Sequence, residues 1–237
     1  MSDFHWKDKF PRHYKLFSSS DQSHPDYYFS VPSVRQALEN RSPNIQSMEE
    51  KFQVLTSKAW KQFVEKTKPF LIKRDQWGYH SQLWQLFNEV EGYLYLERMG
   101  YANIEFIEET QGKTPDLLGN KENGNAILEV KTIRESDASY NYLHSKNPYK
   151  GAIKSTQTIP QGFKNKIKKT IENGADQLNS YPNQGHFNKI LLIIFCPDIG
   201  SHSSTVIDKV KKIVSDCAEE FQGIAIECQT DSAYPIH

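Results

Sequence analysis

Residues 114–132 read Thr-Pro-Asp-Leu-Leu-Gly-Asn-Lys-Glu-Asn-Gly-Asn-Ala-Ile-Leu-Glu-Val-Lys-Thr (TPDLLGNKENGNAILEVKT). Two strand-like runs flank a cluster of turn formers, Asn120, Asn123, Gly124 and Asn125, so the stretch predicts a β-hairpin. Side chains on a strand alternate faces, so Glu129 and Lys131 point one way and Val130 the other. An Asn123-Gly124 turn sets Asp116 opposite Lys131. A Glu122-Asn123 turn sets Asp116 opposite Glu129. Either register gathers Asp116, Glu129 and Lys131 on one face. A three-residue loop would turn Asp116 to the other face unless a bulge corrected it.

Two carboxylates on one face repel each other unless a cation sits between them. Mg²⁺ suits such oxygen ligands and keeps several waters, and Mn²⁺ substitutes for it. A bound divalent ion polarises a phosphate and lowers the pKa of its water. A lysine beside it can orient that water or stabilise charge on the phosphorane. Taken singly, Pro-Asp is a common turn pair and Glu-x-Lys a common surface ion pair on any α/β fold. Their combination with a hairpin of the right parity, an apolar Val130 and flanking helices favours a site.

Outward from the hairpin, residues 80–99 carry Leu83, Leu86, Phe87, Val90 and Leu94 at one-face helical spacing, and Gly100 follows as a cap. On that helix Glu89 and Glu91 flank the apolar stripe, while Glu97 falls within it. Strand-like runs are expected at Ala102–Ile107, Pro115–Gly119 and Ala126–Ile133. Lys164–Tyr181 reads as a helix broken or capped near Gly174. Lys189–Phe195 (KILLIIF) is a continuous apolar strand, expected to be buried on both faces beside a parallel neighbour. Val206–Phe221 is helical and Gly223–Cys228 is a last strand. Upstream, residues 1–30 are aromatic and irregular. Pro32 and Ser33 open a helix, and residues 46–68 read as one helix through Phe52, Leu55, Ala59 and Phe63, ended by Pro69. The order helix, three strands, helix, strand, helix, strand predicts an α/β fold with a central mixed sheet flanked by helices.

The chain has 237 residues, and its 29 basic and 29 acidic side chains balance. Whole-chain charge therefore offers no argument for nucleic acid, and any basic surface must be local. The three cysteines, Cys196, Cys217 and Cys228, have no metal-ligand or disulfide spacing and suit buried thiols in a reducing compartment. There is no apolar run of membrane-span length and no signal-peptide core in MSDFHWKDKF, so a soluble cytoplasmic protein is expected, with no membrane partner. His80, His144, His186 and His202 form no zinc-ligand spacing, and no phosphate loop or GxGxxG motif supports ATP or NAD use.

The PD…EVK pattern on a hairpin after an acidic helix resembles the PD-(D/E)xK nuclease superfamily. That group includes restriction endonucleases, archaeal Holliday-junction resolvases, and Mrr-like and RecB-like nucleases. The resemblance covers about residues 80–228 and implies the αβββαβ restriction-endonuclease-like core. It implies an Mg²⁺-dependent endonuclease hydrolysing DNA phosphodiesters in restriction, repair, mobile-element or defence work. Residues 1–75 would then be a mostly helical extension, and 76–237 the nuclease domain with a basic insertion at about 134–165. The metal ligands would carry over to Asp116, Glu129 and the backbone carbonyl of Val130, and the catalytic lysine to Lys131. A helix acid often joins the site. In resolvase-like members it lies about three turns before the helix-ending glycine, which points to Glu89, with Glu91 second. RecB-like members carry a Gln-x-x-x-Tyr motif, matched here by Gln177 and Tyr181, although the insertion lengthens its separation from Lys131. Their iron–sulfur cysteines are absent. Many members act as homodimers, and this chain shows no coiled-coil heptad or other interface signal.

From Ala138 through Ile171 there are seven lysines, Lys146, Lys150, Lys154, Lys164, Lys166, Lys168 and Lys169, and no acidic residue. With Tyr140, Tyr142, Tyr149 and His144 interleaved, the segment reads as a phosphate-contacting, DNA-binding flap inserted after the catalytic strand. The plainer alternative is a solvated lysine-rich loop. For the whole chain the alternative to an enzyme is a non-catalytic DNA-binding or assembly module on the same fold.

Overall fold

The computed structural model describes residues 6–75, 80–108, 114–134, 159–182, 186–196 and 204–230. Their elements run α1 (Trp6–Lys9), α2 (Pro11–Phe17), α3 (Pro32–Glu39), α4 (Pro43–Val54), α5 (Ser57–Thr67), α6 (Ser81–Arg98), β1 (Ala102–Phe106), β2 (Leu117–Asn120), β3 (Asn125–Arg134), α7 (Gln161–Ser180), β4 (Phe187–Cys196), α8 (Ser204–Ala218) and β5 (Ile224–Thr230). Short 3₁₀ turns follow at Tyr28–Ser30 and Lys68–Ile72. The strands take the order β1-β2-β3-β4-β5, and the sheet is mixed: β1 and β2 are antiparallel, β4 and β5 parallel. The α/β class with a mixed sheet and flanking helices is therefore the observed architecture. The chain forms two compact units, one within Met1–Gln111 and Asp116–Asn125, the other within Gly112–Pro115 and Ala126–Ser232.

The first unit is built on aromatic packing. Phe52, Trp60, Phe63, Phe87 and Phe106 meet with ring centroids 5.4–6.1 Å apart. Such rings carry large apolar area and favour tilted or edge contacts. Prolines at the first helical turn start α2, α3 and α4, where their missing N–H is no loss. Two expectations fail here. Residues 46–68 are two helices, because Thr56 caps α5 by accepting the Ala59 amide at 3.2 Å, while Leu55 takes an extended backbone. The apolar spacing continues across that break, which is why periodicity alone missed it. The N-terminal segment is also more regular than its composition implied. Helix α2 has no cap of its own, but Glu49 accepts the backbone amides of Arg12 and His13 at 2.9 and 3.0 Å. That supplies a helix N-terminal cap from 36 or 37 residues away.

Helix α6 buries Leu83, Leu86, Phe87, Val90, Tyr93 and Leu96. The stripe runs through Tyr93 and Leu96, so Leu94 is only half-buried and Glu97, expected within the stripe, is exposed. Gly100 follows with φ +80°, the left-handed conformation of a helix C-terminal cap. In the β1–β2 pair the register shifts between Ala102 and Glu105, around Asn103 with φ 48°. Asparagine tolerates that left-handed conformation better than most residues, and it suits a bulge. The turn after β2 closes with the Gly124 amide donating to the Lys121 carbonyl at 3.1 Å. Its central pair is Glu122-Asn123, the second of the two turns weighed, rather than Asn123-Gly124.

The second unit holds the expected apolar strand. Ile190 through Cys196 on β4 are all buried, and β4 pairs in parallel with β5 through partners such as Leu191↔Ile226. Helix α7 packs on β4 and on α8 and buries Phe163, Ile167, Ile171, Ala175 and Leu178. It is unbroken at Gly174, contrary to expectation. That glycine is there for space: a Cβ would stand 2.5 Å from Leu191 Cδ1.

Candidate functional site

In the first unit, Lys66 gathers two acids. Helix α5 presents Lys58, Gln62 and Lys66 at successive four-residue steps, one stripe beside its buried Ala59, Phe63 and Thr67. Each member is tied to a neighbouring element. Lys58 pairs with Glu105 at 2.6 Å, and Gln62 accepts the Phe106 amide at 3.3 Å. Lys66 Nζ lies 2.8 Å from Glu89 Oε2 on α6 and 3.4 Å from Asp116 Oδ1, just before β2. All three side chains are largely withdrawn from water, at 10% exposure for Lys66, 8% for Glu89 and 15% for Asp116. Charges that poorly solvated require a counter-charge. Glu89 and Asp116 thus face one shared cation, the ammonium of Lys66. Glu91 goes elsewhere and pairs with Lys51.

The second unit holds the Glu-x-Lys pair on β3. Alternation puts both side chains on one face, and Lys131 Nζ lies 2.5 Å from Glu129 Oε1. Glu129 is buried, and so is Val130 between the charges. Lys131 also donates to Gln177 Oε1 on α7 at 2.8 Å, and the Gln177 amide donates to the Thr114 carbonyl at 2.9 Å. Gln177 therefore positions the lysine. Tyr181, its companion in the motif, packs edge-on against Phe187 with centroids 6.1 Å apart.

Four of the seven lysines fall among the described residues. On α7, Lys164, Lys168 and Lys169 are exposed and Lys166 is half-buried. Lys168 is matched by Glu220, with oxygens 2.9 and 3.0 Å away. Lys146, Lys150 and Lys154 lie outside the described residues. Among those described, no three His, Cys, Asp or Glu side chains cluster as a metal-ligand set, and no helix is long and apolar enough to cross a membrane. Cys196 is buried and Cys217 and Cys228 are half-buried, none of them in a disulfide among the described residues.

Lys66 is the site residue that sequence reasoning missed. The Lys58, Gln62, Lys66 stripe was visible as a spacing beside an apolar face. Its acidic partners lie 23 and 50 positions away, and nothing local announces them. Comparison of the chain with protein-family models, with curated proteins and with solved structures finds no match.

Proposed function

We propose that the protein is a metal-dependent nuclease that hydrolyses DNA phosphodiester bonds, built on the αβββαβ core of the PD-(D/E)xK group. The observation that carries this reading is the company each motif residue keeps. Asp116 shares a cation with the very helix glutamate, Glu89, that the resemblance ranks first. Lys131 is held by Glu129 and by Gln177, the glutamine of the accessory motif. The run α6-β1-β2-β3-α7-β4 also matches the order of that core.

The donor set suits a hard cation. Glu89 and Asp116 both offer carboxylate oxygens to the Lys66 ammonium, and Glu129 is a buried carboxylate. In this reading Asp116, Glu129 and the Val130 carbonyl would hold Mg²⁺, for which Mn²⁺ would substitute, and Glu89 would assist the metal shell or the water. The bound ion supplies Lewis acidity and a water of lowered pKa. The rest falls to the chain. Lys131, fixed from two sides, presents N–H groups to the attacking water and to charge developing on the phosphorane. Gln177 sets the rotamer of that lysine through its own anchor on Thr114. The exposed lysines of α7, Lys164 and Lys169, would meet phosphates at long range.

The test is cleavage of supercoiled, linear, single-stranded and branched DNA with Mg²⁺, in wild type and in Asp116→Asn and Glu129→Gln. These near-isosteric changes remove charge while keeping shape. Wild-type cleavage that EDTA abolishes and both variants lack is the expected result. Binding of DNA without cleavage in any Mg²⁺ or Mn²⁺ condition would instead identify a non-catalytic DNA-binding module.

A further inference from the structure

We infer that Lys66 is a resident counter-cation that a divalent ion must displace, so that loading the site is an exchange of one cation for another. The inference rests on the metal-dependent reading above. Its ground is that the Lys66 ammonium already occupies the interval between Glu89 and Asp116, 2.8 and 3.4 Å from their oxygens.

An Mg²⁺ ion held by those oxygens would lie about 2.0–2.1 Å from them. An ammonium hydrogen-bonded to the same oxygens would then lie within a few ångströms of a double positive charge. Like charges at that range in a poorly hydrated setting repel strongly. The two cations therefore exclude each other from this interval.

The displaced ammonium has somewhere to go. Lys66 also lines a cavity of about 880 Å³ along α5, with Lys58, Lys61, Gln62, Phe70 and Phe106 among its other walls. A lysine side chain has four flexible methylenes and readily moves its charge from one end of such a space to another. The same walls carry Glu65 and Glu108, carboxylates that can receive the displaced ammonium. The Lys66 ammonium meanwhile offsets the charge of Glu89 and Asp116. It also lowers the apparent affinity for the ion, because each binding event must break two ion pairs.

The consequence runs opposite to that of a metal ligand. Removing a ligand weakens ion binding, whereas removing the competing cation strengthens it. Isothermal titration calorimetry with Mn²⁺ on the full chain separates the two, using wild type, Lys66→Met and Lys66→Arg. Lys66→Met should bind Mn²⁺ about tenfold more tightly or better, the scale of a lost charge-assisted hydrogen bond. Saturating Mn²⁺ should raise its Tm more than it raises that of wild type. Lys66→Arg keeps the charge and should stay near wild type.

Lys66→Met leaves two carboxylates without this cation and can fail to fold in EDTA. Circular dichroism during Mn²⁺ titration covers that case. Recovery of the fold on adding Mn²⁺ supports the exchange. A chain that stays unfolded in millimolar Mn²⁺, beside a folded Lys66→Arg, overturns it and leaves Lys66 a purely structural cation. Equal or weaker Mn²⁺ binding by a folded Lys66→Met also overturns the exchange but leaves the nuclease reading standing. Absence of Mn²⁺ binding in both wild type and Lys66→Met overturns the two together. Tighter binding without DNA cleavage upholds the exchange and removes only the nuclease reading.

Discussion

Lys131 donates a hydrogen bond to Gln177 at 2.8 Å, so a helix residue 46 positions downstream governs the lysine of the Glu-x-Lys pair. Gln177 is anchored in turn on the Thr114 carbonyl. Gln177→Ala should cost about 1 kcal/mol of stability, the usual net value of such a bond. Its larger effect should fall on chemistry. Under the proposed nuclease activity, cleavage kcat should drop about tenfold with KM little changed, because only the orientation of Lys131 is lost. A variant that cleaves at the wild-type rate would remove Gln177 from the positioning role.

The Glu129–Lys131 pair should show strong coupling. The Glu129 side chain is 2% exposed, and Lys131→Met takes away the ammonium 2.5 Å from it. Breaking a buried pair costs about 3–5 kcal/mol. The lower end is expected, since the Lys131 side chain is 26% exposed and water can approach. Glu129→Gln combined with Lys131→Met should recover much of that loss. Urea denaturation of the two single variants and the double variant measures the coupling. Simple additivity would show that the pair contributes nothing jointly.

Acid should destabilise the protein in two separate windows. Burial drives the His80 imidazole below its ordinary value of 6.5. The folded state therefore holds fewer protons there than the unfolded one, and stability falls as pH drops below about 6.5. Glu49 titrates lower. Burial pushes its carboxyl up, but hydrogen bonds from the His13 ring and from the Arg12 and His13 amides outweigh that and hold it below 4.5. Its contribution is complete above 4.5 and is lost as pH falls through the folded value. The urea midpoint, followed from about pH 8 to pH 3, should fall in both windows. Glu49→Gln should flatten the lower one, and an unchanged profile in that variant would contradict the assignment.

Gly174→Ala sets two effects against each other. Alanine gains up to about 1 kcal/mol of helix propensity. Its Cβ would however meet Leu191 Cδ1 at 2.5 Å and Cδ2 at 3.1 Å, and Leu191 is fully buried. Overpacking typically costs about 1–3 kcal/mol. Net destabilisation of about 1 kcal/mol is expected by thermal denaturation, and more for Gly174→Val. A stabilised alanine variant would mean that Leu191 has room to move.

The thiols should be inert. Cys196 is buried, burial pushes the Cys228 thiol up to about 11, and burial also raises Cys217. Thiolate, the reactive form, is therefore scarce at neutral pH. Ellman's reagent at pH 7 should react slowly with the native protein and rapidly, with all three cysteines, in denaturant. Rapid titration of the folded protein would contradict the burial.

Strand β4 and helix α6 were readable because their signals are local. Seven consecutive apolar residues at Ile190–Cys196 have no other economical home than a sheet interior. The break at Leu55 and Thr56 was not readable from periodicity, since Leu55 and Ala59 keep helical spacing across it. Only the cap bond from Ala59 to Thr56 separates α4 from α5. Gly174 is opaque to the sequence for a related reason. A glycine in a helical pattern looks like a stop, and only the approach of Leu191 shows that the missing side chain makes room. Of the candidate glutamates, the glycine-counting rule ranked Glu89 first, but the ion pairs alone separate it from Glu91.

Sequence alone determined that Glu129 and Lys131 share a face, because alternation along a strand is a property of covalent geometry and needs no partner. It also determined the order of the described elements from α6 to β5, and the α/β class. Tertiary structure alone decided that Lys66 stands between Glu89 and Asp116, and that Gln177 reaches Lys131. Those contacts join segments 23, 50 and 46 residues apart. Which poorly solvated charges meet is settled by how helices and strands pack, and no local spacing encodes it.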